Sequence, residues 1–261
     1  MAEDWQGTRH RVHSLAPSAW LAEHGRMTWS ILVRDPATGA FGAAVASRFF
    51  AVGAMCLHVE GGVAALSTQA LVNPMYGVQA MPRLRAGEPA ASVLASLVGP
   101  DPGAGQRQVH ILDTAGGLAQ HTGADCVTWA GHVAAPGVSV AGNMLAGPQT
   151  VQATLDGWLN ATGTLAERLL TAMEAGEAAG GDKRGKQSAA LKICLGDPYP
   201  DLDIRADDHP DPLRELRRLY RVSLERFAVF RRFLPGRDSE WGMLDRGPID
   251  AAIAHDRVPP T

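Results

Sequence analysis

The densest run of chemically capable side chains is Gly180-Gly181-Asp182-Lys183-Arg184-Gly185-Lys186-Gln187-Ser188. Its glycines, and its position between a helical and a strand-like pattern, make it a loop of the kind that holds functional groups on a rigid scaffold. Arg184 has the planar fork that grips a substrate carboxylate, and Gln187 joins it as a substrate-binding candidate. The plainer reading is a solvated loop whose cations sit well at a helix C-terminus. Asn143, on the corner Gly142-Asn143-Met144-Leu145, can offer its amide or the neighbouring N–H groups to an oxyanion, or simply shape a turn. Arg48, Gln69 and Asn73 each follow a strand pattern and can project into one cleft; the same residue types also make ordinary loop and cap hydrogen bonds.

Asp207-Asp208-His209 places two carboxylates and an imidazole side by side. Adjacent residues on an extended chain point to opposite faces, so this run reads as a strand end and N-cap rather than a metal site. No other spacing suits a metal, and none is expected. Cys56, Cys126 and Cys194 are far apart, odd in number and bedded among apolar neighbours. They read as small buried hydrophobes of a reducing compartment, not as a disulfide framework or catalytic thiols.

The elements that must position these groups follow from hydrophobic period and turn chemistry. Thr28–Val33 and Phe41–Ser47 are apolar and β-rich, and Asp35-Pro36-Ala37-Thr38-Gly39 between them is a turn signal, so the pair predicts a hairpin. Further strands are expected near 54–59 and 62–68. After Asn73-Pro74 the period changes to three and four, which predicts helices over 75–85 and 89–97. Strands follow at 108–113, 118–122 and 138–141, then helices at 148–160 and 164–179, the second opening on a Thr164/Glu167 capping box. A strand over 188–195 closes the series. Antiparallel hairpins exclude a doubly wound parallel sheet, and no Gly-rich dinucleotide fingerprint opens a helix. Two antiparallel sheets stacked face to face, each covered by a helix pair, bury every element. The expected fold is therefore α+β, a four-layer αββα sandwich over residues 27–211. An irregular N-terminal extension, residues 1–26, precedes it. A C-terminal helix over 213–234 and a tail complete the third segment, 212–261. The stripe Leu216, Leu219, Tyr220, Leu224, Phe227 and Phe230 docks that helix on the core or on a partner, and a homodimer is expected from it.

Composition excludes several classes. The 261 residues are 46% hydrophobic and 20% charged, which fits a globular chain. A net charge of -3, from 24 Lys+Arg against 27 Asp+Glu, leaves no electrostatic footprint for nucleic acid or an anionic membrane. With no signal-peptide core and no membrane-length apolar run, a cytoplasmic protein is expected.

Several of these segments together resemble a known family. Thr28-Trp29-Ser30-Ile31, Val45 to Gly53, Ser67-Thr68-Gln69-Ala70, Asn73-Pro74-Met75-Tyr76-Gly77, Gly142 to Gly147 and Gly180 to Ala190 are similar, in order, to the motifs of a bacterial family catalogued as domain of unknown function 1028. That family is placed in the N-terminal-nucleophile (Ntn) hydrolase superfamily. The resemblance implies the αββα fold and a nucleophile at the first residue of the mature chain, whose own α-amine serves as base. Thr28 takes that role, with Ser30 the next hydroxyl on the same strand face. It also implies that the corner carrying Asp182 and Arg184 orients Thr28 or binds substrate. Thr28 stands behind 27 residues here, so its amine becomes free only if translation starts at Met27 or the chain is cut after it. The expectation is an amidohydrolase acting, without a cofactor, on a C–N bond of a small molecule rather than a peptide. The rival is a non-catalytic small-molecule-binding or scaffold protein that keeps the fold.

Overall fold

Along β1 (Thr28–Arg34), Trp29, Ile31 and Val33 alternate with Thr28, Ser30 and Leu32, and all are buried. A strand buried on both faces belongs in the middle of a layered structure. The computed structural model describes residues 27–126, 129–181 and 185–258; the N-terminal extension, Asp182 and Arg184 lie outside them. The turn after β1 is shaped by Asp35, which accepts from Ala37 N and Thr38 Oγ1, and by Gly39 in the left-handed region. It returns the chain into β2 (Phe41–Ser47), antiparallel to β1 with Thr28 opposite Ser47. This is the hairpin expected from the sequence.

The segment expected as a strand over 54–59 splits in two. Val52–Cys56 is a short helix, α1, and only Leu57–Glu60 forms β3. Helix α1 lies so close to the sheet that a Cβ at Gly53 would stand 2.2 Å from Ala190 Cβ. After β4 (Ala64–Ala70) come α2 (Met75–Arg85) and α3 (Ala90–Val98), then β5 (Arg107–Asp113) and β6 (Leu118–Thr122). Next are β7 (Trp129–Ala135), which the sequence patterns do not announce, and β8 (Val138–Leu145). Helices α4 (Gln149–Asn160) and α5 (Leu165–Ala178) follow, with the Thr164/Glu167 capping box present on α5. Strand β9 (Ser188–Cys194) and a second unannounced strand, β10 (Leu202–Ala206), end the sheets.

One sheet has the order β10-β9-β2-β1-β8-β7 and the other β3-β4-β5-β6, every pair antiparallel. Trp29, Ile31 and Val33 pack outward against Val151, Leu169 and Met173 of α4 and α5. Leu66, Val109 and Ile111 pack outward against Ala80, Leu84 and Val93 of α2 and α3. Leu32, Phe41, Val45, Ala65 and Leu112 fill part of the layer between the sheets. The fold is the αββα sandwich.

Helix α6 (Pro212–Glu225) ends earlier than expected, because Arg226 at φ -151, ψ -48 leaves the helix. Phe227–Phe230 forms a separate turn of helix, α7, and Val229 packs with Ile249 and Ile253 of α8 (Arg246–Asp256), a helix not expected from the sequence. Of the stripe on which the homodimer expectation rests, Leu216 and Tyr220 are buried in the chain's own core, Leu219, Leu224 and Phe230 are half-buried, and Phe227 is exposed.

Candidate functional site

Between the sheets, the strands change character along their length. On the inner face β1 offers Thr28 and Ser30, β8 offers Ser139 and Asn143, β4 offers Ser67 and Gln69, and β5 offers Gln108 and His110, and all are buried. Buried polar groups need partners, and here they find one another. Ser30 Oγ donates to Gln69 Oε1 at 2.7 Å and lies 2.9 Å from His110 Nε2. His110 Nδ1 is 2.7 Å from Ser139 Oγ. Gln69 Nε2 donates to Gln108 Oε1 at 2.7 Å, and Asn143 Nδ2 donates to the same oxygen at 3.1 Å. Full burial, with His132 adding to it, pushes the His110 pKa down to about 3, so the ring is neutral at any working pH.

Thr28 and Gln69 also face a cavity of about 160 Å³. Its polar wall is Thr28, Ser47 and Gln69; its apolar wall is Phe49, Val52, Cys56, Ala70, Leu71 and Val72. Ser47 Oγ donates its proton to Met27 O at 2.7 Å and sits 2.9 Å from Thr28 Oγ1. With that proton committed, the Thr28 hydroxyl is the donor to Ser47, and its lone pairs are left for other partners. Thr28 lies opposite Ser47 on one side and Asn143 on the other, at the head of a central strand. Burial pushes the Cys56 thiol up to about 12, so it holds no thiolate in this cavity. The described non-glycine residues with positive φ, Ala51, Ala70 and Met144, adjoin Val52, Gln69 and Asn143. Such backbone strain gathers where structure serves a site.

The structure thus brings Thr28, Ser30, Gln69 and Asn143 into one cluster. Asn143 is 1% exposed and spends an N–H on Gln108, while its Oδ1 has no hydrogen-bond partner. Arg48 is exposed just beyond Ser47, its backbone N–H donating to Met27 O, and it does not line the cavity. Asn73 is occupied locally, its Oδ1 accepting from Met75 N at the start of α2. Gln187 is tied to the sheet through its N–H on Ser47 O and reaches Asp208 with its side chain. Asp207 pairs with Arg205, and His209 Nδ1 accepts from Asp211 N, so the Asp207-Asp208-His209 run is spent on separate structural contacts. Among the described residues no group of three or more metal-capable side chains comes together. Ser47, Gln108, His110 and Ser139 are site residues that sequence reasoning misses. Their signal is the polar residue at an inward register position, as in Gln108 and His110 alternating with Val109 and Ile111.

Residues 28–216 match the family of unknown function DUF1028. The chain belongs to this family. It is similar to the crystal structure of protein SPO2555 from Silicibacter pomeroyi, which carries the same DUF1028 family model. The identity is 30%, over 85% of this chain and 97% of that one, with a TM-score of 0.79. Looser alignments join it to eukaryotic HslV from Trypanosoma brucei at a TM-score of 0.38 and 10% identity, covering 64% and 99% of the two chains. Another reaches Anbu, an ancestral beta-subunit from Yersinia bercovieri, at 0.35 and 12%, covering 80% and 98%. No curated protein matches the chain. Among the described residues, no helix is long and apolar enough to cross a membrane.

Proposed function

We propose that this DUF1028 protein is an Ntn-type amidohydrolase that cuts a small-molecule amide with Thr28 as nucleophile. The observation that carries the reading is the Thr28 hydroxyl, held by Ser47 on the wall of a small cavity at the head of a central strand of an αββα sandwich. The family match begins at the same residue. In this reading the base is the Thr28 α-amine, and no histidine, carboxylate or lysine lines the cavity among the described residues. The amine's ordinary pKa of about 7.7–8 suits proton transfer near neutral pH. In the chain as it stands this nitrogen is acylated by Met27, whose carbonyl is gripped by Ser47 Oγ–H and Arg48 N–H.

Once that bond is opened, Thr28 Oγ1 attacks the substrate carbonyl and its proton passes to the amine. The amine then protonates the leaving nitrogen, and water hydrolyses the acyl ester to restore the hydroxyl. Ser30 does not compete as nucleophile. Its proton goes to Gln69, and its histidine neighbour is too weakly basic to remove it. Free cysteines, with Cys56 and Cys194 buried, suit the cytoplasm, where we place the protein.

A binding protein is the second reading, favoured by Met27, which is 1% exposed and part of the core. Hydrolysis of a panel of small amides by the full chain and by a form starting at Thr28 separates the two. The hydrolase reading expects turnover only from the second form, and its loss in Thr28→Ala. Tight binding without turnover in either form supports the binding protein.

A further inference from the structure

Two main-chain carbonyls fix the orientation of the side chains between the sheets. Gly131 O and Gly142 O can only accept, and they lie 3.1 and 2.9 Å from one end of the Gln108 carboxamide. That end is therefore its NH2, and Oε1 faces the other way. Gln69 meets this Oε1 with its nitrogen, which turns Gln69 Oε1 towards Ser30 Oγ at 2.7 Å and Ser67 Oγ at 3.3 Å. Ser30 gives its single proton to Gln69 and so accepts from His110, which places the ring proton on Nε2. Nδ1 then accepts from Ser139, whose Oγ accepts from Gln120 Nε2 at 2.9 Å. Each link leaves the next no choice. In this arrangement Gln69 retains one N–H with no protein acceptor among the described residues, and Gln69 is part of the cavity wall.

We propose that the cavity beside Thr28 takes a small uncharged acyl group whose carbonyl oxygen accepts from this Gln69 N–H, and that the Ser139–His110–Ser30 chain holds the Gln69 carboxamide that way round. The proposal deepens the hydrolase reading and rests on it for naming this carbonyl as the one attacked. Gln69 is then the oxyanion donor. Asn143 is a positioning residue, acting through the shared acceptor Gln108 Oε1. The rest of the wall sets the substrate class. Val52, Cys56, Leu71 and Val72 are apolar, and no charged side chain lines the cavity among the described residues. A carboxylate placed there would lose its hydration with no counter-charge in return. At about 30 Å³ per water-sized group, a space of about 160 Å³ holds a propionyl-sized fragment. It falls below the roughly 300 Å³ at which pockets for larger ligands begin.

The test uses the full chain, 15N-labelled on glutamine and histidine side chains and titrated with propionamide and, separately, with propionate. Propionamide is expected to shift the Gln69 side-chain amide resonances and to bind at least about tenfold more tightly than propionate. Gln69→Leu is expected to weaken propionamide about five- to tenfold, the loss of one hydrogen bond. The His110 ring should show its proton on Nε2, and His110→Gln, which keeps an N–H there, should retain binding. The proposal is overturned if propionate binds as tightly, if the Gln69 resonances stay fixed, or if the ring proton lies on Nδ1. Unchanged propionamide binding in folded His110→Leu, which deletes both ring contacts, overturns the positioning role. If propionamide binds as expected but a form starting at Thr28 never cleaves it, the hydrolase reading falls while the binding assignment stands.

Discussion

The layer between the sheets has two halves built from the same strands. Towards one end β1, β4 and β5 contribute Leu32, Ala65 and Leu112, joined by Phe41 and Ala43. Two residues further along each strand the same inner face carries Ser30, Ser67 and His110, and then Thr28, Gln69 and Gln108. Both halves are fully buried, so burial alone does not separate them. The apolar half gains stability from each side chain removed from water, about 1.5–3 kcal/mol for a large one. The polar half gains little net stability from its hydrogen bonds, yet loses much if any partner is removed. What the network adds is direction, because it fixes where donors and acceptors point. The apolar half holds the sheets together, and the polar half aims Gln69 beside Thr28.

Substitutions can break this contrast. The largest stability loss is expected from Phe41→Ala in the apolar half, about 3–5 kcal/mol by urea unfolding, with propionamide affinity of the remaining folded protein unchanged. Gln108→Leu should cost less, about 1–3 kcal/mol, by stranding the Gly131 and Gly142 carbonyls. Unlike Phe41→Ala, it should also abolish ligand response at Gln69. An equal effect of both variants on binding would erase the distinction between the halves.

Acid sharpens it further. The folded-state pKa of His110, near 3, lies below its ordinary value of 6.5. On acidification the unfolded chain therefore takes up this proton first. The stability His110 contributes is complete above about pH 6.5 and drains away as pH falls towards 3. Melting temperatures across that range should show an acid limb that is shallower in His110→Gln. The smallest effect is expected at Ala70, held at φ +67 on the cavity wall. Ala70→Gly should raise stability by up to about 1 kcal/mol by relieving the left-handed strain. Unchanged stability there would mean that the strain is offset locally.

Features set by neighbours along the chain are legible in the sequence. The β1–β2 hairpin follows from its Asp35–Gly39 turn, and α5 from its Thr164/Glu167 box. Features set by distant contacts are not. Strand β7 is a sheet edge of small residues with an irregularity at Trp129/Gly131, and it lacks a strong alternation. Helix α6 stops at Arg226, where Phe227–Phe230 turns to pack on α8, a contact no local period announces. The candidate site divides the same way. Thr28, Ser30 and Gln69 stand out as polar residues at strand ends, but Gln108 lies 39 residues from Gln69 and His110 lies 80 from Ser30. Only the stacking of the two sheets makes them partners.

If a freed Thr28 carries the chemistry, a covalent trap will capture it. A form starting at Thr28, treated with a small activated propionyl ester, denatured in acid and mapped by peptide mass spectrometry, should carry a propionyl group on the Thr28 hydroxyl. The full chain, treated alike, should carry none there. Acylation of Ser47 or Ser30 in place of Thr28, or equal labelling of Thr28 with and without its free amine, would rule out Thr28 as a nucleophile served by its own amine.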